Sequence, residues 1–392
     1  MPSPLKLVLT ADFHMGSPFA FFDEARALDM QERQIGLLRE ICQTARDSGA
    51  HILGIAGDLF DISKPDKALL RQVQQSFALC PDTAVVICPG NHDPYYPDSI
   101  WDDPGWPDHV FIARESPSVF SFSKLDAQVY TAPFMARSAS TSLVNLRGIS
   151  DTFDLSFSYH LLFLHGEVLP AGQTSHYNPI SRESLIQSGF DLAVVGHIHK
   201  RFECVPDFGK TPYLVPGCPM GRGFDECGEC GFYTAQITPP DRQRKLSSLV
   251  HFNFHPSAVG SFQKLGVDLN DCHAENQEEL VIYLQKVLIS GVLNSEKGQW
   301  DAIQLFLRGN FPFRPDTDYL ERQLSQLCFY LKIRDESFRY RPFSSYLNEK
   351  SIRGYIAAVL DERREEAASE EELTRLEAGE HLLAEVMEGD IT

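Results

Sequence analysis

Five short apolar runs in the first 200 residues each end in side chains able to hold a metal ion. Leu5–Thr10 leads into Asp12-Phe13-His14, and residues 52–56 into Gly57-Asp58-Leu59-Phe60-Asp61. Residues 84–88 lead into Pro89-Gly90-Asn91-His92-Asp93, residues 161–164 into His165-Gly166-Glu167, and residues 192–195 into Gly196-His197-Ile198-His199. The runs are continuous rather than alternating, which predicts strands buried on both faces. Helical spacing separates them. Residues 29–48 carry Ile35, Leu38, Cys42 and Ala45 and stop at Gly49; Asp66 reads as the N-cap of a helix to about residue 79; residues 181–188 read as a helical turn. Strands alternating with helices indicate an α/β layered fold.

The placement of the clusters is the chemical argument. Strand ends on one edge of an α/β sheet converge on a common crevice, where ligands bind. Carboxylate and amide oxygens mixed with imidazoles suit manganese, iron or zinc rather than a thiolate zinc site. Two ions about 3.5–4 Å apart clamp the attacking and leaving oxygens of a phosphoryl ester. Gly57, Gly90 and Gly196 let the backbone turn sharply beside the ions. A lone Asp-x-His or a lone His pair carries little weight; five such clusters in order carry the reading.

These motifs resemble the calcineurin-like metallophosphoesterase superfamily: Asp12-x-His14, Gly57-Asp58-x-x-Asp61, Gly90-Asn91-His92-Asp93, His165 and Gly196-His197-x-His199. The run Asp12 to Ser17, the Gly57–Asp61 run, and Pro216-Gly217-Cys218-Pro219 followed by Gly231-Phe232-Tyr233 resemble its SbcD-type branch of DNA double-strand-break repair exonucleases. The resemblance covers about residues 7–235. It implies a layered β-sandwich flanked by helices, with a small α+β capping domain and a helical C-terminal tail. By the same resemblance Asp12, His14, Asp58 and His199 hold one ion, and Asp58, Asn91, His165 and His197 the other. His92 is then the group at the leaving oxygen, Asp93 orients it by a hydrogen bond, and Asp61 supports without ligating. The implied ions are two divalent metals, Mn²⁺ first, with Mg²⁺, Fe²⁺ or Zn²⁺ as alternatives. The implied partners are DNA, an SMC-like ATPase subunit and a second copy of the chain.

Other features are read more plainly. Arg201 and Arg222 adjoin motif turns and are candidate phosphate contacts. Tyr95 and Tyr96 open an aromatic stretch that reaches Trp101 and Trp106, readable as a base-stacking surface or as the core of a surface loop. Cys227-Gly-Glu-Cys230 reads as a hairpin turn before a zinc site or a disulfide. His251 and His255 read as outward residues of a strand, and residues 239–245 as a polar turn.

Composition divides the chain. Residues 1–255 read as the phosphoesterase domain, 256–345 as a smaller α+β capping unit, and 346–392 as an acidic helical tail. The formal charge is −19, and residues 361–392 set three arginines against twelve acids. Such a chain has no general basic coat for gripping nucleic acid, so a more basic partner is expected to supply the grip. It contains no Gly-x-x-x-x-Gly-Lys-Ser/Thr loop to bind ATP itself. No apolar run approaches the ~20 residues of a membrane span, and nine sparse cysteines do not form a disulfide framework, so the expected place is the cytoplasm. Three functions remain open: a DNA exonuclease with single-strand endonuclease activity, a stand-alone phosphoesterase for a nucleotide or small phosphoester, and a non-catalytic scaffold on the same fold.

Overall fold

The apolar runs become strands of two facing sheets. The computed structural model describes residues 3–62, 64–206, 209–238, 249–291, 301–338 and 343–367, with separate residues among 369–383. Residues Met1–Ser261 and Phe262–Thr392 form two compact units.

In the first unit, β1 (Leu5–Thr10), β2 (Ile52–Ile55), β3 (Ala84–Ile87) and β4 (Val110–Ile112) lie parallel. The second sheet starts with β5 (Ser118–Phe122), β6 (Ala127–Ala132) and β7 (Tyr159–His165). After a short ribbon of β8 (Glu167–Leu169) and β9 (Pro179–Ser181), it is completed by β10 (Leu192–Gly196), β11 (Phe202–Cys204) and β12 (Tyr213–Val215). The chain then returns to the first sheet through β13 (Gly231–Ile237) and β14 (Val250–Pro256), antiparallel beside β1. The five clusters therefore do not share one sheet edge, as the sequence suggests. Three follow β1, β2 and β3 of one sheet, and two follow β7 and β10 of the other.

Alternation explains the unbroken apolar runs. Leu161, Phe163, Leu192 and Val194 point between the sheets, against Leu7, Leu9, Ile52 and Val86. Leu162, Leu164, Ala193 and Val195 point outward, onto Leu146, Ile149, Leu185 and Phe190. Both faces of β7 and β10 are thus dry. The first sheet is covered by α1 (Glu24–Asp47), capped by Asp23, and α2 (Lys67–Phe77), capped by Asp66 as the sequence predicts. Next, α3 (Arg182–Ile186) starts at Ser181, whose hydroxyl accepts from the Ser184 amide. β6 was hidden in the sequence because Gln128 and Thr131 interrupt its apolar pattern. Gln128 is satisfied inside by Ser121 Oγ and Tyr130 OH, at 2.9 and 3.1 Å.

The second unit holds β15 (Phe262–Asp268), α4 (Gln277–Gly291), β16 (Ala302–Asn310), α5 (Thr317–Leu324) and β17 (Tyr330–Phe338). Its three strands are parallel and alternate with the helices. This is a tighter order than the α+β reading. Leu280, Leu284 and Leu288 of α4 and Leu320 and Leu324 of α5 cover Ile303, Leu305 and Leu307 of the central strand. A further helix, α6 (Ile352–Glu366), starts before the charged stretch at 361. Glu380 is buried and pairs with Arg364 and the Phe343 amide, so part of the acidic tail folds onto its own unit. The expected turn at 239–245 and Met387 of the tail lie outside the described residues. β14 runs to Pro256, so the composition shift after His255 falls at a strand end, before the unit boundary. Among the described residues no helix is long and apolar enough to cross a membrane.

Candidate metal centre

Beyond β1 and β2 the two loops stay paired. Asp12 N donates to Gly57 O at 3.0 Å, His14 N to Asp58 O at 2.9 Å, and Met15 N to Leu59 O at 2.9 Å. This pairing sets Asp12 and His14 against Asp58. It also forces positive φ at Asp12 (52°), His14 (50°) and Asp58 (49°), with His197 at 95°. Aspartate tolerates that region; histidine adopts it at a cost of about 1–3 kcal/mol, which the surrounding bonds must hold. The Asp12-x-His14 pair thus reaches the centre by left-handed turns and not by sharing an extended face. Gly57 has φ 94°, but the other two motif glycines serve space alone. A Cβ on Gly90 would lie 2.2 Å from Asp58 Oδ1, and one on Gly196 1.9 Å from Ala56 O.

The two sheets are tied at this end. The His197 amide donates to both carboxylate oxygens of Asp12, at 2.9 and 3.1 Å. His165 Nδ1 lies 2.9 Å from the Ala56 carbonyl. Three groups of possible ligand atoms result, each within a 4.8 Å span: His14 with Asp61 and His92, and the two that match the expected ions, Asp12 with His14 and His199 and Asp58 with His165 and His197. Asp58 stands between the latter two, with Oδ2 3.7 Å from His14 Nε2 and 3.2 Å from His165 Nε2. Asn91 Oδ1 joins the Asp58 group, 2.9 Å from His165 Nε2 and 3.1 Å from His197 Nδ1. All seven residues expected as ligands therefore meet at one place.

The donor set fits a pair of cations. Asp61 faces His14 Nδ1 at 3.1 Å, Glu226 faces His199 Nδ1 at 2.7 Å, and the Ala56 carbonyl faces His165 Nδ1. These oxygens only accept, so the three histidines carry a proton on Nδ1. In the neutral rings the Nε2 atoms of His14 and His199 then confront each other at 3.2 Å without a proton, beside buried carboxylates. Facing lone pairs repel unless a cation lies among them.

Charge states follow the same geometry. Burial lowers the pKa of His14 and of His197. Burial also opposes charge on His165, but Asp58, Asp12 and the Ala56 carbonyl push it up to about 9. Burial and the nearby Asp58 charge raise Asp93 to about 7. Asp58 is held below the usual carboxylate range because His165, His14 and His92 outweigh its burial.

Asp93 does not orient His92. Its carboxylate accepts from Gly90 N at 2.7 Å and Phe60 N at 2.9 Å, because it lies wholly inside the turn. Asp61 takes that place, with its carbonyl 3.1 Å and its Oδ1 3.4 Å from His92 Nδ1. That contact raises the His92 pKa, while the ring stays 41 % exposed. Arg222 reaches the centre, but its guanidinium is engaged by Asp61 at 3.2 Å and Glu226 at 2.8 Å. Arg201 does not point at the ligands: it lies 4.1 Å over the Phe254 ring and pairs with Glu229. Tyr95 and Tyr96 are half-buried, and Tyr95 OH meets Asp102 at 3.4 Å. Trp101 is fully buried, donates to Asp93 O at 2.6 Å and stacks on Trp106, so the aromatic loop is packed on itself.

Two residues escaped sequence reading. Glu226 sits inside the Cys227 motif region with no metal-like spacing of its own. Tyr177, 38 % exposed, lies 4.8 Å from the His197 ring on an unpatterned loop. Burial opposes the Glu226 charge, yet His199 and Arg222 hold its pKa at about 2. A depressed carboxylate stabilises the fold fully above its unfolded value near 4.5, and that share is lost as pH falls toward 2. Glu226→Gln is therefore expected to flatten the fall of the metal-free melting temperature between pH 4.5 and 2, and to weaken metal binding by about 10–100-fold. Unchanged acid sensitivity together with unchanged metal affinity would refute this role.

A family model described as calcineurin-like phosphoesterase matches residues 5–201. A relative from Bacillus subtilis, described as the uncharacterized metallophosphoesterase YhaO, is 25 % identical over 322 residues, 80 % of this chain and 74 % of its own. Among solved structures, a dimetal phosphatase from Danio rerio is similar with a TM-score of 0.41 and 12 % identity, over 63 % of this chain and 99 % of its own. Purple acid phosphatase PPD1 of yellow lupin (Lupinus luteus) gives 0.38 and 14 %, over 65 % of this chain and 52 % of its own.

Proposed function

The chain belongs to the calcineurin-like phosphoesterases and is a metal-dependent phosphoesterase, and from that premise we propose that it hydrolyses phosphodiester bonds of DNA. It would act as an exonuclease of the SbcD-like branch, with single-strand endonuclease activity, in DNA repair in the cytoplasm. In this reading Asp12, His14, Asp58 and His199 hold one divalent ion, and Asp58, Asn91, His165 and His197 the other, Mn²⁺ first. Bound ions supply Lewis-acid activation of water and positive charge at the attacked phosphorus.

The chain's own groups do the rest. Asp61 accepts from His92 Nδ1 and favours the charged form of that ring, in which Nε2 can give a proton to a departing sugar oxygen. Asp93 fixes the turn that presents Asn91 and His92 by holding the Gly90 and Phe60 amides. Charge inventory carries the diester reading. The arginine at the centre, Arg222, is already matched by Asp61 and Glu226. Arg222 is therefore not free to clamp the second charge of a terminal phosphate dianion, whereas a diester brings a single negative charge. Exposed Tyr177 beside His197 offers a face on which a base can stack. Grip along the polymer is assigned to an SMC-like ATPase partner and a second copy of the chain, because the formal charge of −19 gives this chain little of its own.

The test is incubation with Mn²⁺ and labelled double- or single-stranded DNA, a chromogenic phosphodiester and a phosphomonoester. DNA cleavage and diester turnover are expected, with DNA cleavage falling steeply as salt rises. Turnover of the monoester alone would replace this reading by a stand-alone small-phosphoester hydrolase, and no turnover with metal bound would leave a scaffold.

A further inference from the structure

All nine cysteines are thiols, and two of them close the loop that carries Arg222 and Glu226. Cys218 follows β12 and is 2 % exposed; Cys230 immediately precedes β13 and is partly exposed. Their sulfurs stand 3.6 Å apart. The backbone already ties the two ends, with Gly231 N donating to Cys218 O at 3.4 Å. Cys218 N also donates to His199 O at 3.1 Å, and its sulfur lies 3.9 Å from Glu226 Oε2. One hinge therefore joins the sulfur pair to the backbone of His199 and to the carboxylate that holds its ring. Among the described residues no cysteine belongs to a group placed to hold a metal ion, which separates this pair from a thiolate metal site.

We propose that Cys218 and Cys230 form a reversible disulfide under peroxide, closing the 218–230 loop around Glu226 and Arg222 and slowing loss of the ion held by His199. The last clause rests on the dinuclear reading above; the cross-link does not. A disulfide needs about 2.05 Å between sulfurs, so the pair must close by about 1.5 Å, within the reach of side-chain rotation. The part-exposed Cys230 thiol meets hydrogen peroxide first: the O–O bond breaks, a sulfenic acid forms and one water leaves. Cys218 sulfur then attacks that sulfur; the S–S bond forms, the S–O bond breaks, and the oxygen leaves as a second water with the two thiol protons accounted for. Two thiols and one peroxide thus give one disulfide and two waters, and a dithiol reductant reverses the change. In a reducing compartment such a bond is transient and redox-sensing.

The experiment uses the full chain loaded with Mn²⁺, exposed to a small excess of peroxide, alkylated and peptide-mapped without reduction. A Cys218–Cys230 linked peptide is expected, lost on reduction and absent in Cys230→Ser, but kept in Cys227→Ser. Release of Mn²⁺ to EDTA is expected to slow about tenfold in the oxidised protein, the lower end of what support of a ligating histidine contributes. Linkage through Cys227, stable sulfinic acid without a cross-link, or zinc held by these thiols in the reduced protein would overturn the proposal. So would a mapped Cys218–Cys230 bond with unchanged release. Should the protein hold no Mn²⁺ at all, the dinuclear reading fails while the peptide map still decides the cross-link.

Discussion

Replacing His92 by alanine is expected to lower kcat by about 10²–10⁴-fold, the range of a positioned general acid, while metal content stays unchanged. The reason is geometric. His92 is not among the seven side chains expected as ligands, and its ring is 41 % exposed against 15 % for His197 and 27 % for His199. Its Nδ1 is anchored on Asp61, which leaves Nε2 for substrate. The loss should shrink for esters whose leaving group needs no proton, such as a nitrophenolate, and be greatest for an alkoxide. Because Asp61 raises the His92 pKa, Asp61→Asn should also move the alkaline limb of kcat to lower pH. Steady-state rates with metal analysis on the same samples check this. Equal losses for both leaving groups, or loss of bound metal in His92→Ala, would remove the acid role.

Asp58→Asn is expected to cost more. Asp58 lies between the two groups expected to hold the ions, so its loss should reduce bound metal below two ions and activity by about 10³-fold or more, several kcal/mol of transition-state stabilisation. Metal binding to the folded state alone also stabilises it, by about 2.7 kcal/mol when free metal is a hundred times its dissociation constant. For a domain of this size that corresponds to about 5–10 °C. EDTA should therefore lower the melting temperature of the native protein by that amount and leave Asp58→Asn almost unmoved. Calorimetry with and without EDTA decides it: a native protein indifferent to EDTA would sink the dinuclear centre.

The candidate ligands are legible in sequence because buried parallel strands are written as unbroken apolar runs, and strand ends must then carry the polar chemistry. Asp66 and Ser181 were equally legible, since a helix cap uses a neighbouring amide. The supporting shell was not. Glu226 reaches His199 across 27 residues, and Asp61 reaches His14 across 47. Asp93 looked like the partner of its neighbour His92, but a buried carboxylate is captured by the nearest unpaired amides, here Gly90 and Phe60. Arg201 looked like a phosphate contact, yet Phe254 and Glu229 of its own surroundings claim it. The aromatic loop after Asp93 offered two readings in sequence, and packing of Trp101 chose the self-packed one.

By itself the sequence determined which side chains meet and in what order, because hydrophobic pattern dictates buried strands, and strand ends carry whatever follows them. Tertiary structure alone decided that those ends come from two facing sheets and that Nδ1 of His14, His165 and His199 each faces an acceptor oxygen. It also decided which carboxylates face the histidine cluster and which hold amides. Those outcomes depend on distances of about 3 Å between residues far apart in the chain, and hydrogen-bond direction at that range is set by packing and not by spacing.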